Sequence, residues 1–142
     1  MNRIQFTVYG KAEPQGNKRA FAHKHTGKIV MVEGSASGKL RPWRQQVSGT
    51  AMAAMSEAGL SPWSRETALQ ANLRFYFRRP QHLPKRVTEK TTKPDLDKLI
   101  RAVWDALTGI VFADDSQICR EASRKDFGEP ERVEIEIAEA VQ

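Results

Sequence analysis

Two periods of hydrophobic repetition run along the chain and mark out its elements. Ile4, Phe6 and Val8 alternate with polar residues, which predicts a half-buried first strand. ALQANLRFYF, from Ala68 to Phe77, puts Leu69, Ala71, Leu73, Phe75 and Phe77 on one side in strict alternation, as a central strand would. Val133, Ile135 and Ile137 alternate with Glu134 and Glu136, so the last strand has one buried and one acidic face. The other period is helical. Leu40, Trp43, Val47, Ala51, Ala54, Met55 and Ala58 fall near one face of a helix that Gly59 ends, with Gly49 a weak point inside it. Trp43 and Met55 read there as core packing rather than as a base-stacking platform. Leu96, Leu99, Ile100, Val103 and Leu107 form a second stripe, while Asp97, Lys98, Arg101 and Asp105 share the opposite face.

Breakers and turn residues fill the intervals. Gly10 to Ala22 reads as a loop, with Pro14, Gly16 and Asn17 as breakers and Lys11, Lys18 and Arg19 as exposed charge. His25-Thr26-Gly27-Lys28 predicts the turn of a β-hairpin whose second arm holds Ile29 to Val32, and Gly34 to Gly38 a further turn. Arg78-Arg79-Pro80 opens a long polar loop that carries Lys85, Arg86, Lys90 and Lys93. Gln117 to Phe127 reads as a strand and Gly128 to Pro130 as a turn. The order β, loop, β-hairpin, α, β, α, β, β predicts one domain over residues 1–142, of the α/β (α+β) class. Its architecture is a small mixed β-sheet packed with two main helices.

Charge distribution adds to this picture. The net charge is +6, but residues 1–94 carry 17 Lys and Arg against 5 acids, and residues 95–142 carry 6 against 12. A basic front half, suited to a polyanionic partner, is joined to an acidic back half. No apolar run is long enough to span a bilayer and MNRIQFTVYG lacks a signal-peptide core, so a cytoplasmic protein without a membrane partner is expected. Cys119 is the single cysteine, which rules out an intramolecular disulfide and a zinc site built on cysteine pairs. It is expected to be a small buried hydrophobe on a strand. His23 and His25 offer two nitrogens with no matching further ligand, so they read as ordinary strand or loop residues.

Chemistry concentrates in KPDLDKLIRAVWDALTGIVFADDSQI, Lys93 to Ile118. Pro94 biases Lys93 towards extended backbone, Asp95 or Asp97 can cap the helix start, and Gly109 can stop it. The short apolar run from Ile110 to Ala113 turns the chain back towards the helix and carries Asp114 and Asp115 with it. Mg²⁺ takes oxygen ligands and keeps several waters, so Asp95, Asp97 and Asp115, or Asp114, with substrate phosphate oxygens are a sufficient cage. Clustered carboxylates raise one another's pKa values unless a cation lies between them. Such a cage activates water against a phosphodiester, with Arg101 first and Lys98 second as candidates to stabilise the developing charge. The basic loops, with Lys18, Arg19, Arg78, Arg79, Lys85, Arg86 and Lys93, are the candidate DNA-binding residues.

Asp95-Leu96-Asp97, the apolar helix through Asp105-Ala106-Leu107-Thr108, and Asp114-Asp115-Ser116-Gln117-Ile118 resemble the RusA family of Holliday junction resolvases, common in phages and prophages. The resemblance is specific within residues 93–118 and rests elsewhere on element order and size. It implies a small α/β subunit, a homodimer, and Mg²⁺-dependent nicking of four-way DNA junctions, with Mn²⁺ as a substitute ion. By motif position Asp95, Asp97 and Asp115 would be metal ligands, with Asp114 supporting. The family has a lysine one turn after the second motif aspartate and often asparagine after it, where this chain has Arg101 and Lys98. If that lysine only stabilises charge, Arg101 serves; if it donates a proton, Lys98 or a metal-bound water takes that part. The readings set against a nuclease are a non-catalytic DNA-binding protein and a phage assembly protein.

Overall fold

The computed structural model describes residues 2–16, 18–22, 26–33 and 38–141, with side chains omitted at 18–22 and 29–33. Its elements are β1 (Arg3–Tyr9), β2 (Lys18–Ala22), β3 (Ile29–Glu33), α1 (Leu40–Glu57), β4 (Leu69–Phe77), α2 (Leu96–Leu107), β5 (Ile118–Phe127) and β6 (Arg132–Glu139), with a 3-10 turn at Asp115–Gln117. The predicted α+β class and element order are observed. A four-stranded mixed sheet has the order β1-β6-β4-β5, with β1–β6 and β6–β4 antiparallel and β4–β5 parallel. Strands β2 and β3 pair separately as an antiparallel hairpin. His23, His25, Asn17 and residues 34–37 lie outside the described residues.

Strict alternation in β4 produces its buried face: Leu69, Ala71, Leu73, Phe75 and Phe77 are all buried. Ile4, Phe6 and Val8 from β1 and Val133, Ile135 and Ile137 from β6 join them against the stripes of both helices. Trp43, Val47, Ala51 and Met55 of α1 are buried, as are Leu99, Val103 and Leu107 of α2. Where the two helices meet, Ser48 Oγ donates to the Ala106 carbonyl at 2.8 Å.

Parallel strands cannot be joined by a tight turn, so the chain from β4 to β5 must cross over through an intervening element. That element is the basic loop followed by α2. Helix α2 consequently starts at the carboxyl end of the parallel pair and runs back towards its amino end.

Three expectations are corrected. Lys18–Ala22 is a strand paired with Ile29–Glu33, not loop, so the hairpin begins before its predicted turn. Gln117 belongs to the 3-10 turn that precedes β5. Cys119 is exposed, because β5 is the edge of the sheet and has one neighbour.

Candidate active site

Asp95 is the N-cap residue of α2, yet its side chain makes no capping hydrogen bond. Its Oδ2 faces Lys98 Nζ at 3.8 Å, and the carboxylate is 48% exposed. Asp97 lies in the first turn and is exposed. Both carboxylates are exposed, so the start of α2 presents two acidic groups to solvent. The helix dipole makes that end favourable for negative charge. Asp97 and Arg101, at i,i+4 spacing, form no ion pair, and Arg101 stands exposed on the outer face of α2.

The backbone around these acids is tied down from two sides. Gln15, buried in the loop after β1, donates its N–H to the Lys98 carbonyl at 2.9 Å. Lys125 of β5 sends its Nζ to the Thr92 carbonyl at 2.6 Å and the Pro94 carbonyl at 2.9 Å, fixing the segment that leads into Asp95. The Lys93–Pro94 peptide bond is cis. A cleft beside Asp95 is lined by Lys11, Pro14, Lys93, Pro94 and Lys98.

The Asp114–Asp115 pair belongs to the opposite end of the crossover. Gly109 donates to the Phe112 carbonyl at 2.7 Å, and buried Val111 and Phe112 turn the chain into the 3-10 segment. Asp114 is engaged locally: Ser116 Oγ donates to its Oδ2 at 2.5 Å, and Arg65 approaches the same oxygen at 3.3 Å. The hydrogen bond from Ser116 holds the Asp114 carboxyl below its ordinary value; desolvation opposes it and the Arg65 guanidinium adds to it. Asp115 is exposed at the start of the turn.

The two acidic groups are far apart within one chain. Helix α2 has 12 residues, and at about 1.5 Å per residue it separates its ends by roughly 18 Å. The strand path agrees, since Leu69 pairs with Ile118 at one end of the parallel ladder and Phe77 with Phe127 at the other. Oxygens sharing one Mg²⁺ at about 2.0–2.1 Å stand within roughly 4 Å of each other. Among the described residues no group of three or more His, Cys, Asp or Glu side chains is placed to hold a metal ion. One subunit thus carries Asp95 and Asp97 at the start of α2 and Asp115, with Asp114, beyond its far end.

The basic candidates divide in a similar way. Arg79 donates to the Val87 carbonyl at 2.6 Å and to the Pro84 carbonyl, and stacks 5.3 Å from the Phe127 ring centroid, so it folds the loop. Arg78 pairs with Glu129 at 3.2 Å. Lys85, Arg86 and Lys93 are exposed. Lys18 and Arg19 start β2, and their side chains are outside the described set.

Two residues that hold the site in place are not among those predicted from sequence. Gln117 is buried and braces the Asp114 turn, a part that the Asp114-x-x-Gln117 spacing of a capping box signals. Lys125 has no such local signal, because the carbonyls it grips lie 31 and 33 residues away.

Comparison with known proteins bears on this arrangement. The family model described as endodeoxyribonuclease RusA matches residues 11–138. A protein of Bacillus subtilis (strain 168), "Uncharacterized protein YqaN", is 29% identical over 144 residues, covering 98% of each chain.

Proposed function

The chain belongs to the RusA endodeoxyribonuclease family, and from that premise we propose that it is a divalent-metal-dependent nuclease that nicks four-way DNA junctions as a homodimer. The observation that carries this reading is the pair Asp95 and Asp97, both exposed at the start of α2, beside the basic β4–α2 loop. In this reading Asp95 and Asp97 hold Mg²⁺, or Mn²⁺ in its place, and Asp115 of a second copy completes the ligand set. The separation along α2 supports a site shared between subunits, since no three His, Cys, Asp or Glu side chains among one chain's described residues are grouped to hold a metal ion. Asp114, already engaged by Ser116 and Arg65, supports the turn that presents Asp115.

A bound cation would polarise a phosphodiester and lower the pKa of an attacking water. This chain's own residues supply the remainder. In this reading Arg101, exposed and without an ion pair among the described residues, neutralises phosphate oxygens rather than moving a proton, since a guanidinium is a poor proton donor. Lys98, ion-paired with Asp95 at 3.8 Å, orients that carboxylate in this reading. Lys85, Arg86 and Lys93 provide contacts along the strand. A four-way junction needs two symmetry-related nicks, which a two-fold dimer supplies together.

The test is nicking of a synthetic four-way junction against linear duplex, with Mg²⁺, Mn²⁺ or chelator. Asp95→Asn and Asp115→Asn are each expected to lower nicking by on the order of 10²-fold or more while junction binding in chelator persists. Full-rate cleavage by either variant removes that carboxylate from the site. Salt-sensitive binding without nicking by the wild type under either ion would replace the nuclease with a non-catalytic DNA-binding protein.

A further inference from the structure

Two ammonium groups converge at the carboxyl end of the parallel strands, outside the carboxylate pair. Lys125 of β5 pairs in register with Phe75 of β4 and reaches the Thr92 and Pro94 carbonyls. Lys90 comes from the loop, donating to Thr92 Oγ1 at 3.1 Å, with its Nζ 5.2 Å from the Phe77 ring centroid and 6.0 Å from that of Phe127. Both lysines therefore donate to one exposed residue, Thr92, Lys90 to its hydroxyl and Lys125 to its carbonyl. Among the described residues neither forms an ion pair with a carboxylate.

Two converging lysines without a paired acid repel one another, and an ordinary surface lysine would turn away into water. Here the aromatic rings of Phe77 and Phe127 favour a cation above them, and the backbone carbonyls hold the other. Burial, then Lys125, then Lys11 push the Lys90 ammonium below its ordinary value, with Glu131 partly opposing them. A positive potential is thus built into the fold. Donors are available as well: an ammonium has three N–H groups, of which Lys125 spends two on carbonyls and Lys90 one on Thr92. Open α/β crossovers bind ligands at this end of their parallel strands.

We propose that Lys90, Lys125 and the Thr92 hydroxyl form a phosphate-binding site that holds one backbone phosphate of the DNA, a few residues in sequence from Asp95. The anion's chemical class, a phosphate oxygen cluster, follows from the donors; its identity as DNA rests on the proposed function. In that setting the site fixes the strand's register relative to the carboxylates and has no part in bond cleavage. Lys11 adds charge at longer range.

The experiment has two arms on the full chain. In the first, inorganic phosphate is titrated while the lysine side-chain resonances are followed by NMR. Saturable shifts at Lys90 and Lys125, lost in Lys90→Gln and kept in Lys90→Arg, are expected. In the second, binding to a four-way junction in chelator is measured against salt. Lys90→Gln and Lys125→Gln are each expected to weaken binding about 5- to 10-fold at 0.1 M salt and to flatten the log–log slope by about 0.9. The double variant should flatten it no further, because both lysines hold one phosphate.

Lys125→Gln also removes the grip on Thr92 and Pro94, so Lys90→Gln, which leaves that grip intact, decides the matter if Lys125→Gln melts early. Unchanged slopes with no phosphate shift overturn the site. A phosphate response with unchanged slopes overturns its assignment to the DNA strand. Wild-type failure to nick, with both binding readouts intact, sinks the nuclease reading and leaves this site standing.

Discussion

The Gln117 side chain accepts at Oε1 from the Ala113 and Asp114 N–H groups, both at 2.9 Å. From Nε2 it donates to the Ser64 carbonyl at 2.7 Å and the Thr67 carbonyl at 3.1 Å. A single buried amide therefore joins the turn that presents Asp115 to the segment leading into β4. Removing it strands backbone groups on both sides, each costing about 1–3 kcal/mol when water cannot replace the partner. Gln117→Ala is expected to destabilise by about 2–4 kcal/mol in urea unfolding. Gln117→Glu should fall short of rescue, because a carboxylate accepts from Ala113 and Asp114 but has nothing to donate to Ser64 and Thr67. Full stability in Gln117→Glu would show that the donor half is dispensable. At this scale the sequence was partly legible: the capping-box spacing around Gln117 is visible, whereas its bonds to Ser64 and Thr67 depend on tertiary contact.

Helix α2 and the turn after it link the core to the acids. Its stripe of Leu99, Val103 and Leu107 is buried to 0% exposure, which fixes the helix rotation and leaves Asp97 and Arg101 outward. Thr108 closes the last turn through its N–H and Oγ1, both donating to the Trp104 carbonyl. Gly109 then takes φ +87 so that Val111 and Phe112 can enter the core. A Cβ added at Gly109 meets nothing within 4 Å, so the cost of Gly109→Ala is backbone strain alone, about 1–2 kcal/mol. A thermal or urea melt reads this directly, and unchanged stability would mean that the turn relaxes without it. Elements such as α2 and β4 are legible from sequence because a buried face imposes period 3.6 or 2. Strand β5 has no such alternation, being an edge with five of its ten residues exposed. For the same physical reason Cys119 reads as buried by residue type and is exposed in the fold.

At the scale of the whole molecule, the crossover decides where chemistry can occur. The pattern of apolar positions predicts the order of elements and a small mixed sheet, but it carries no information on how far Asp115 ends from Asp95. That distance comes from α2 running antiparallel to two parallel strands, a property of topology that no local spacing encodes. A site shared between subunits makes a prediction that a site within one subunit cannot. Subunits carrying Asp95→Asn and Asp97→Asn lack the helix pair but keep Asp115; subunits carrying Asp115→Asn keep the pair but lack the distal acid. Each homodimer should be inactive. When the two are unfolded together and refolded as a mixture, a mixed dimer regains one complete ligand set from intact halves on different chains, and the other set loses everything. Recovery of nicking on one strand, without paired resolution, is therefore expected, at up to about half the dimer population from random pairing. Were the ligands all from one chain, every mixed dimer would hold two defective sites and the mixture would stay as inactive as its parents. Sedimentation of the same mixture identifies the dimer on which this depends, so that silence from a mixture of monomers counts against the homodimer itself.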